Sequence, residues 1–192
     1  NAINIMRTVR EFENAGVSGM IFEDQLSPKK CAACANRIEL LGVEEAVGKI
    51  RAAVEARQNP DTIIIARTDE VDEDAAIARA KLYVEAGADL IQPISRCFKD
   101  IGGLRRLREA CGVPLSLQIL GWLESDLSAD DIKEVAGLAC YPLVGLMSAA
   151  KVLQDNFSAL AIDLGTKNLP QPKMSMDEFK SFIGFTEVEQ QQ

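Results

Sequence analysis

One stretch of the chain predicts both a buried strand and a reactive loop: GMIFEDQLSPKKC at residues 19–31. Its first four residues are an apolar run, which is typical of a buried strand. Two acids, Glu23 and Asp24, follow where that strand ends, and the loop after them carries two lysines beside Cys31. Lysine charge next to a thiol favours the thiolate. The stretch therefore indicates either a metal-assisted reaction on an acidic substrate or a solvated turn that carries a cysteine by chance.

Short apolar runs and helical patterns alternate along the rest of the chain. The predicted strands are residues 19–23, 62–66, 90–93, 115–119 and 138–141, and the predicted helices are residues 1–14, 43–57, 72–86, 101–110, 128–135, 143–164 and 176–183. The strands are continuous apolar runs, as expected when a parallel sheet is covered on both faces. Repeated strand–helix units of this kind are typical of a doubly wound sheet or of a (β/α)8 barrel.

An Ala-Gly-apolar motif precedes three of the predicted strands, and its glycine is Gly16, Gly87 or Gly137. A glycine at this place commonly takes the left-handed conformation that ends a helix. We therefore predict that each of the three glycines ends one helix just before the next strand begins.

Polar side chains stand where the predicted strands end. They are Glu23-Asp24, Arg67-Thr68-Asp69, Gln92, Gln118 and Tyr141. In both candidate folds the chemistry gathers at the C-terminal ends of the strands. No glycine-rich phosphate loop follows any strand, which argues against a dinucleotide site.

The composition is that of a soluble globular domain. The chain has 192 residues, 47% of them apolar and 26% charged, which suffices for one domain with a sizeable core. A net charge of −8 argues against a nucleic-acid partner, although a local basic cluster can still bind an anionic substrate. No apolar run approaches the roughly 18–20 residues that span a bilayer, so we expect no membrane partner.

The chain contains no histidine and five cysteines. A Ser-His-Asp triad, a Cys-His dyad and histidine-ligated zinc are thereby excluded, so acid–base chemistry falls to Asp, Glu, Lys, Tyr or Cys. The odd number and scattered spacing of the cysteines favour a reducing compartment, and we expect a cytoplasmic protein. Cys31 and Cys34 form a C-x-x-C pair, but a redox role or half a zinc site lacks the sequence context that either motif requires.

Several segments, taken in order, resemble the isocitrate lyase/phosphoenolpyruvate mutase superfamily, and most closely its methylisocitrate lyase-like short members. The segments are IFEDQ at 21–25, KKC at 29–31, KIRAA at 49–53, ARTD at 66–69, EAGAD at 85–89 and YPL at 141–143. The resemblance implies about the last five βα units of a (β/α)8 barrel over residues 1–165, followed by a C-terminal helix and tail over residues 166–192. Because the chain begins inside a helical pattern, we expect that an N-terminal part is missing.

The resemblance also implies the residues of a lyase site. Cys31 corresponds to the thiol that protonates the carbanion left by carbon–carbon cleavage. Lys29 and Lys30 flank it and would hold the thiolate or bind a carboxylate. Arg67 corresponds to the arginine that grips the substrate carboxylate. Glu23 corresponds to an outer-sphere carboxylate that orients water on Mg²⁺, and the direct aspartate ligand of the metal is expected before residue 1.

Three positions depart from the lyase pattern. Ala32-Ala33 follows the cysteine where the lyases have Gly-His, and Gln92-Pro93 stands in place of a strand-end glutamate. Gln118-Ile119-Leu120 replaces an Asn-x-Thr that binds the second substrate carboxylate, so Gln118 is the expected substrate-binding residue there. Three functions therefore stay open: an Mg²⁺-dependent lyase that releases pyruvate or glyoxylate, a phosphonomutase or oxaloacetate hydrolase or decarboxylase, and a truncated, non-catalytic fragment.

The expected partners are a small carboxylic-acid substrate and further copies of the same protein. The long last helix pattern, residues 143–164, has an apolar face larger than one barrel needs. The resemblance implies a homo-oligomer, often a tetramer, that exchanges a C-terminal helix between neighbours. We expect residues 143–183 to lie in that interface.

Overall fold

The computed structural model describes residues 2–31, 38–185 and 188, so Cys34 lies outside the described residues and only Cys31 of the C-x-x-C pair is described. The helices are α1 (Ala2–Asn14), α2 (Val43–Ala56), α3 (Glu73–Glu85), α4 (Ile101–Cys111), α5 (Trp122–Asp126), α6 (Ala129–Val135), α7 (Val144–Asp163) and α8 (Met176–Phe182). The strands are β1 (Gly19–Glu23), β2 (Ile63–Thr68), β3 (Leu90–Pro93), β4 (Leu115–Gln118) and β5 (Ala136–Cys140). The chain divides into two compact units, residues 1–142 and residues 143–192.

The five strands form one parallel sheet in the order β1-β2-β3-β4-β5. A doubly wound sheet reverses its strand order at a switch point, whereas here each strand lies beside the next one in the chain. The structure therefore decides between the two predicted folds in favour of the barrel arrangement. Glu23 pairs with Arg67 and Arg67 with Gln92, so the polar strand ends meet at one edge of the sheet.

One face of the sheet forms the core of the first unit. Met20, Phe22, Ile64 and Ala66 are buried on this face, against which α2 and α3 pack. The opposite face lines an open apolar cavity of about 410 Å³, where Ile21 is 47% exposed. All four residues of β3 are buried, whereas alternate residues of β1 are exposed. The prediction that both faces are covered is therefore confirmed for β3 and wrong for β1, whose flanking helices pack on one side.

Two of the three predicted glycine turns are confirmed. Gly16 has φ +85° and Gly87 has φ +101°, the left-handed conformation that ends a helix before a strand. Gly137 is a correction, because α6 leads directly into β5 and the glycine lies inside that strand. A Cβ atom at Gly137 would stand 2.8 Å from the Cβ of Pro114. This glycine is needed for close packing and not for a turn.

Two further points concern helices: α5, which was not predicted, and α7, whose place in the domain division was predicted differently. The five-residue helix α5 was not predicted, since it is too short to show a helical period. Its first residue, Trp122, donates its indole N–H to the carbonyl oxygen of Ser95 at 2.8 Å, a contact with the turn after β3 that the sequence does not reveal. The boundary at residue 165 counts α7 with the last barrel unit and stays a prediction, while the division into two compact units falls after Pro142.

The second unit consists mainly of α7 and α8. Neither helix has a buried residue, and large apolar side chains are exposed on both, including Leu146, Phe157 and Phe182. The side chain of Ser175 caps α8 by accepting from the backbone N–H of Glu178. Among the described residues, no helix is both long enough and apolar enough to cross a bilayer.

Candidate active site

A cluster of opposite charges lies where β1 and β2 end. The Oε2 atom of Glu23 is 2.8 Å from Nζ of Lys29 and 3.6 Å from Nε of Arg67. The Lys49 ammonium donates to the backbone carbonyl oxygen of Glu23 at 2.7 Å. Two cationic side chains thus hold the Glu23 carboxylate, which is still 23% exposed. The structure therefore brings the predicted residues Glu23, Lys29 and Arg67 together, and their functional roles stay predictions.

Asp69 holds Arg67 in place. The Arg67 guanidinium donates from Nε to Oδ1 of Asp69 at 2.7 Å and from Nη2 to Oδ2 at 3.2 Å. The Asp69 side chain is fully buried, whereas 13% of the Arg67 side chain is exposed. One edge of the arginine fork is therefore committed to the protein. The predicted grip on a substrate carboxylate stays a prediction, and it would use the remaining edge.

Gln25 connects this pair to the lysine loop. Its Nε2 atom donates a short hydrogen bond to Oδ2 of Asp69, and its Oε1 atom accepts from the backbone N–H of Lys30 at 3.0 Å. Gln25 is buried, with 7% of its surface exposed. Both hydrogen-bonding ends of one amide are thus used to join the end of β2 to the loop after β1.

Backbone contacts bring the two ends of the loop between β1 and α2 together. Gln25 and Leu40 form an antiparallel bridge, and the N–H of Leu26 donates to the carbonyl oxygen of Glu39 at 2.8 Å. Nζ of Lys30 lies 3.5 Å from Oε1 of Glu39, so this lysine also has a carboxylate partner. Lys29 and Lys30 each face an acid, which reduces the positive charge that was predicted to favour the thiolate of Cys31.

Asp24 is the buried centre of a second hydrogen-bond network. Its carboxylate is 2% exposed and accepts from the hydroxyls of Thr68 and Tyr83, both at 2.7 Å, and from the backbone N–H of Asp69 at 2.9 Å. Nη1 of Arg79 lies 3.4 Å from the same carboxylate. Burial first, and then the charge of Asp24, raise the pKa of the Tyr83 hydroxyl. The hydroxyl therefore remains a donor at physiological pH.

The described cysteines differ in accessibility. Cys31 and Cys140 are exposed, whereas Cys97 and Cys111 are buried. Burial first, and then the charges of nearby acids, raise the pKa of Cys97 to about 12; burial raises that of Cys111 to about 11. These two remain neutral thiols at physiological pH. Because Cys31 and Cys140 are exposed, they are the described thiols that a substrate can reach.

The remaining predicted residue, Gln118, ends β4, two strands away from Arg67 in the sheet. Sequence reasoning did not identify Gln25 as a site residue and did not assign the buried roles of Asp24, Arg79 and Tyr83. The strand-end acids in FEDQ and RTD were a signal for such a network. Nothing in the local sequence paired them with their partners.

The described residues fit only an outer role toward a divalent cation. They include no group of three or more Asp, Glu or Cys residues that could hold a metal ion. Glu23 is partly exposed at the strand end and could accept from a metal-bound water, whereas Asp24 and Asp69 are buried and fully engaged with protein donors. Direct metal ligation is therefore not supplied by the part of the chain that the structure describes.

Parallel strands in sequential order, with charged residues gathered at their C-terminal ends, place the chain among the barrel-type α/β enzyme scaffolds. The sequence model of the family described as phosphoenolpyruvate phosphomutase matches residues 1–141. The chain belongs to this family, which confirms the predicted resemblance.

Three curated relatives show how the chain compares in sequence. It is 36% identical to a 2,3-dimethylmalate lyase of Eubacterium barkeri, over 98% of this chain and 66% of the relative. It is 30% identical to a 2-methylisocitrate lyase of Escherichia coli K12, over 99% and 65%, and 36% identical to an oxaloacetate decarboxylase of Pseudomonas aeruginosa LESB58, over 95% and 64%. The chain thus spans 64–66% of the length of these relatives.

Solved structures show the same fold. A phosphoenolpyruvate phosphomutase from Streptomyces platensis superposes with a TM-score of 0.85 at 26% identity, covering 100% of this chain and 68% of that one. A phosphonopyruvate hydrolase solved with oxalate and Mg²⁺ gives a TM-score of 0.82 at 28% identity, covering 98% and 66%. These likenesses confirm the predicted fold class, an α/β fold with a parallel sheet of the (β/α)8 barrel kind.

Proposed function

We propose that the protein containing this chain is a carbon–carbon lyase that cleaves a 2-hydroxy di- or tricarboxylate to pyruvate or glyoxylate and a second acid. The observation that carries the proposal is the charged cluster of Glu23, Lys29 and Arg67, which Gln25 joins to the loop bearing Cys31. The names of two relatives, 2,3-dimethylmalate lyase and 2-methylisocitrate lyase, support it.

The chain's own residues suit such a cleavage. Breaking a carbon–carbon bond beside a carboxylate leaves an electron pair on one carbon, and this pair must be stabilised and then protonated. Arg67 and Lys29 place positive charge at the strand ends, where a substrate carboxylate would bind. The Cys31 thiol would give its proton to the carbanion and become a thiolate.

We further propose that the reaction requires Mg²⁺, which would supply a Lewis acid for the developing enolate. Glu23 would accept a hydrogen bond from water on the metal, because its carboxylate is partly exposed at the end of β1. This proposal assigns no direct metal ligand to the described residues, in line with their lack of a ligand cluster.

A second candidate is another reaction of the same family. The 36% identity to an oxaloacetate decarboxylase equals the identity to the dimethylmalate lyase. The sequence Gln118-Ile119-Leu120 and the alanines after Cys31 both depart from the lyase pattern, which favours a different substrate. A decarboxylase or hydrolase acting on oxaloacetate would keep the charged cluster, and water would supply the proton that the product enolate takes up; a phosphonomutase would keep the cluster and transfer the phosphoryl group without a protonation step. The third possibility, a non-catalytic fragment, is favoured by the missing metal ligands among the described residues.

A substrate panel tests these candidates. The complete protein is incubated with 2,3-dimethylmalate, 2-methylisocitrate, oxaloacetate and phosphonopyruvate, with Mg²⁺ or with EDTA. The products measured are pyruvate, glyoxylate, oxalate, phosphoenolpyruvate and carbon dioxide. We expect Mg²⁺-dependent release of a 2-oxo acid from a hydroxy di- or tricarboxylate. Turnover of only oxaloacetate or only phosphonopyruvate would select the second candidate, and no turnover of any substrate would select the third.

Arg67 provides a direct test of the carboxylate site. Replacing Arg67 with lysine removes the planar fork that now holds Asp69 through two hydrogen bonds. One ammonium cannot hold Asp69 bidentately and present a second edge to a substrate carboxylate. We expect kcat/KM to fall about 100-fold, the effect of losing charge-assisted hydrogen bonds. Steady-state kinetics measures the change. The matched control is Arg105→Lys in a surface ion pair with Glu134, which should leave kcat/KM unchanged.

We also propose that the protein is a homo-oligomer, in which the second unit covers its apolar surface. Leu146, Phe157 and Phe182 are each more than half exposed on α7 and α8, which is unusual for a monomer. We expect light scattering of the complete protein to give a multiple of the monomer mass, with a tetramer as the expected state. Replacing Leu146 and Phe157 with serine should lower that mass. A monomer at micromolar concentration in the unmodified protein would contradict the proposal.

We propose a reducing compartment, such as the cytoplasm, as the protein's location. None of Cys97, Cys111 and Cys140 forms a disulfide with a described residue. Two of these thiols lie buried in the core, where they behave as small apolar side chains. Such use of cysteine is typical of proteins kept in a reducing environment.

A further inference from the structure

Gln25 is the side chain that ties the two halves of the charged site together. Its amide nitrogen donates to Oδ2 of Asp69, and its amide oxygen accepts from the N–H of Lys30 at 3.0 Å. It is buried, and the antiparallel bridge to Leu40 fixes its backbone. A buried amide with both ends engaged has one orientation, because turning it over would set donor against donor at Lys30 and acceptor against acceptor at Asp69.

The group on the nitrogen side is itself firmly held. Asp69 receives two hydrogen bonds from Arg67, and its backbone N–H donates to Oδ1 of Asp24 at 2.9 Å. Asp24 and Asp69 are 2% and 1% exposed, so water competes little for these contacts. The position of the Gln25 amide is thereby fixed relative to Arg67.

The amide oxygen of Gln25 binds the loop that carries Cys31, the proposed proton donor. The N–H that Gln25 accepts belongs to Lys30, the residue directly before Cys31. Lys29, one residue earlier, binds Glu23 at 2.8 Å through its side chain. The backbone at Lys30 is therefore held from one side by Gln25, while its own ammonium faces Glu39.

We infer that Gln25 is a positioning residue that sets the place of Cys31 relative to Arg67, through Lys30 on one side and Asp69 on the other. This inference rests on the proposed function for its consequence, since Cys31 is the proposed proton donor and Arg67 the proposed carboxylate site. A proton donor displaced by about 1 Å can lose roughly 100-fold in rate. The amide suits this place because it offers a donor to one partner and an acceptor to the other at the two ends of one planar group.

Two variants separate the two halves of this role. Gln25→Met keeps the length of the side chain and removes both hydrogen bonds. Gln25→Glu keeps an acceptor for the N–H of Lys30 but places a carboxylate oxygen against the buried carboxylate of Asp69. The control is Asp89→Asn, which weakens contacts to Arg57 and to the N–H of Ile64, both at 2.7 Å, at the opposite end of β2.

Two measurements on the complete protein test the inference. Without substrate, amide hydrogen exchange at Lys30 should become roughly fivefold faster in Gln25→Met, as expected for the loss of one hydrogen bond. With substrate, kcat should fall at least about tenfold in both variants, while KM changes less than about threefold, because Arg67 keeps its bonds to Asp69. Asp89→Asn should change neither quantity.

The outcomes separate this inference from the proposed function. Unchanged exchange at Lys30 in Gln25→Met would overturn the link, and so would a wild-type kcat in Gln25→Glu. A rise in KM at constant kcat would also overturn it, because Gln25 would then act on substrate binding alone. If the unmodified protein has no lyase activity, the proposed function fails, whereas the exchange rate at Lys30 still decides whether Gln25 holds the loop.

Discussion

Replacing Cys31 with serine is expected to lower kcat for carbon–carbon cleavage about 1,000-fold, within the range that general acid catalysis contributes. A serine hydroxyl has nearly the same size as the thiol but is a far weaker acid, so it cannot protonate the carbanion at a comparable rate. Because Cys31 is exposed, the substitution should leave the melting temperature unchanged. Steady-state assays of 2-oxo acid release, together with a thermal melt, measure both quantities.

The control for this prediction is Cys140→Ser, which makes the same chemical change at another exposed thiol. We expect this control to retain the kcat of the unmodified protein. A loss of kcat in Cys31→Ser alone would then show that the position of this thiol matters, and not merely the removal of an exposed thiol. Near-full activity of Cys31→Ser would end the lyase proposal. It would favour a phosphonomutase, or an oxaloacetate decarboxylase or hydrolase in which water and not Cys31 protonates the enolate.

Asp24→Asn is expected to reduce the free energy of unfolding by about 3 kcal/mol, the scale for breaking a buried charge pair. The Oδ2 atom of Asp24 faces the hydroxyls of Thr68 and Tyr83 and the guanidinium of Arg79. An amide oxygen in that place would keep the neutral contacts but weaken the ionic one, and an amide nitrogen would set donor against donor. Either orientation leaves a buried group without its proper partner.

Urea denaturation measures this loss, and the thermal midpoint should fall by about 6–12 °C for a chain of this size. The matched control is Asp130→Asn, since Asp130 is 94% exposed and its ion pair with Lys133 spans 3.4 Å. That substitution should change the free energy of unfolding by less than about 0.5 kcal/mol. Equal stability of the two variants would show that Asp24 is not the centre of the network.

The elements of the fold were largely predictable because they depend on short-range patterns. The strand predicted at residues 19–23 has the observed bounds of β1, and Gly16 and Gly87 end their helices as the motif indicates. Gly137 does not end a helix. It lies inside β5 and packs against Pro114, the residue directly before β4. The difference between a turn glycine and a packing glycine depends on a neighbour that the local sequence does not identify.

The site was predictable only in part, because many of its contacts join residues that lie far apart in the sequence. Glu23, Lys29 and Arg67 are marked by charge at the end of an apolar run, and the structure brings them together. The network around Asp24 joins residues up to 59 positions apart in the chain, and Gln25 reaches Asp69 across 44 positions. A neutral glutamine in a polar loop carries no local signal of burial, so its two partners became evident only from the packing of β1 beside β2.

The sequential order of the strands has a consequence for synthesis on the ribosome. Each strand pairs with the strand that precedes it in the sequence. When a new strand leaves the ribosome, the strand that it pairs with has therefore already been synthesised. Domains begin to form from the N-terminus during synthesis, which proceeds at roughly 5–20 residues per second. The sheet can therefore grow by stepwise addition in the direction of translation. The Asp24 network forms only after Tyr83 has been made, so the buried carboxylate remains hydrated in the nascent chain until α3 docks.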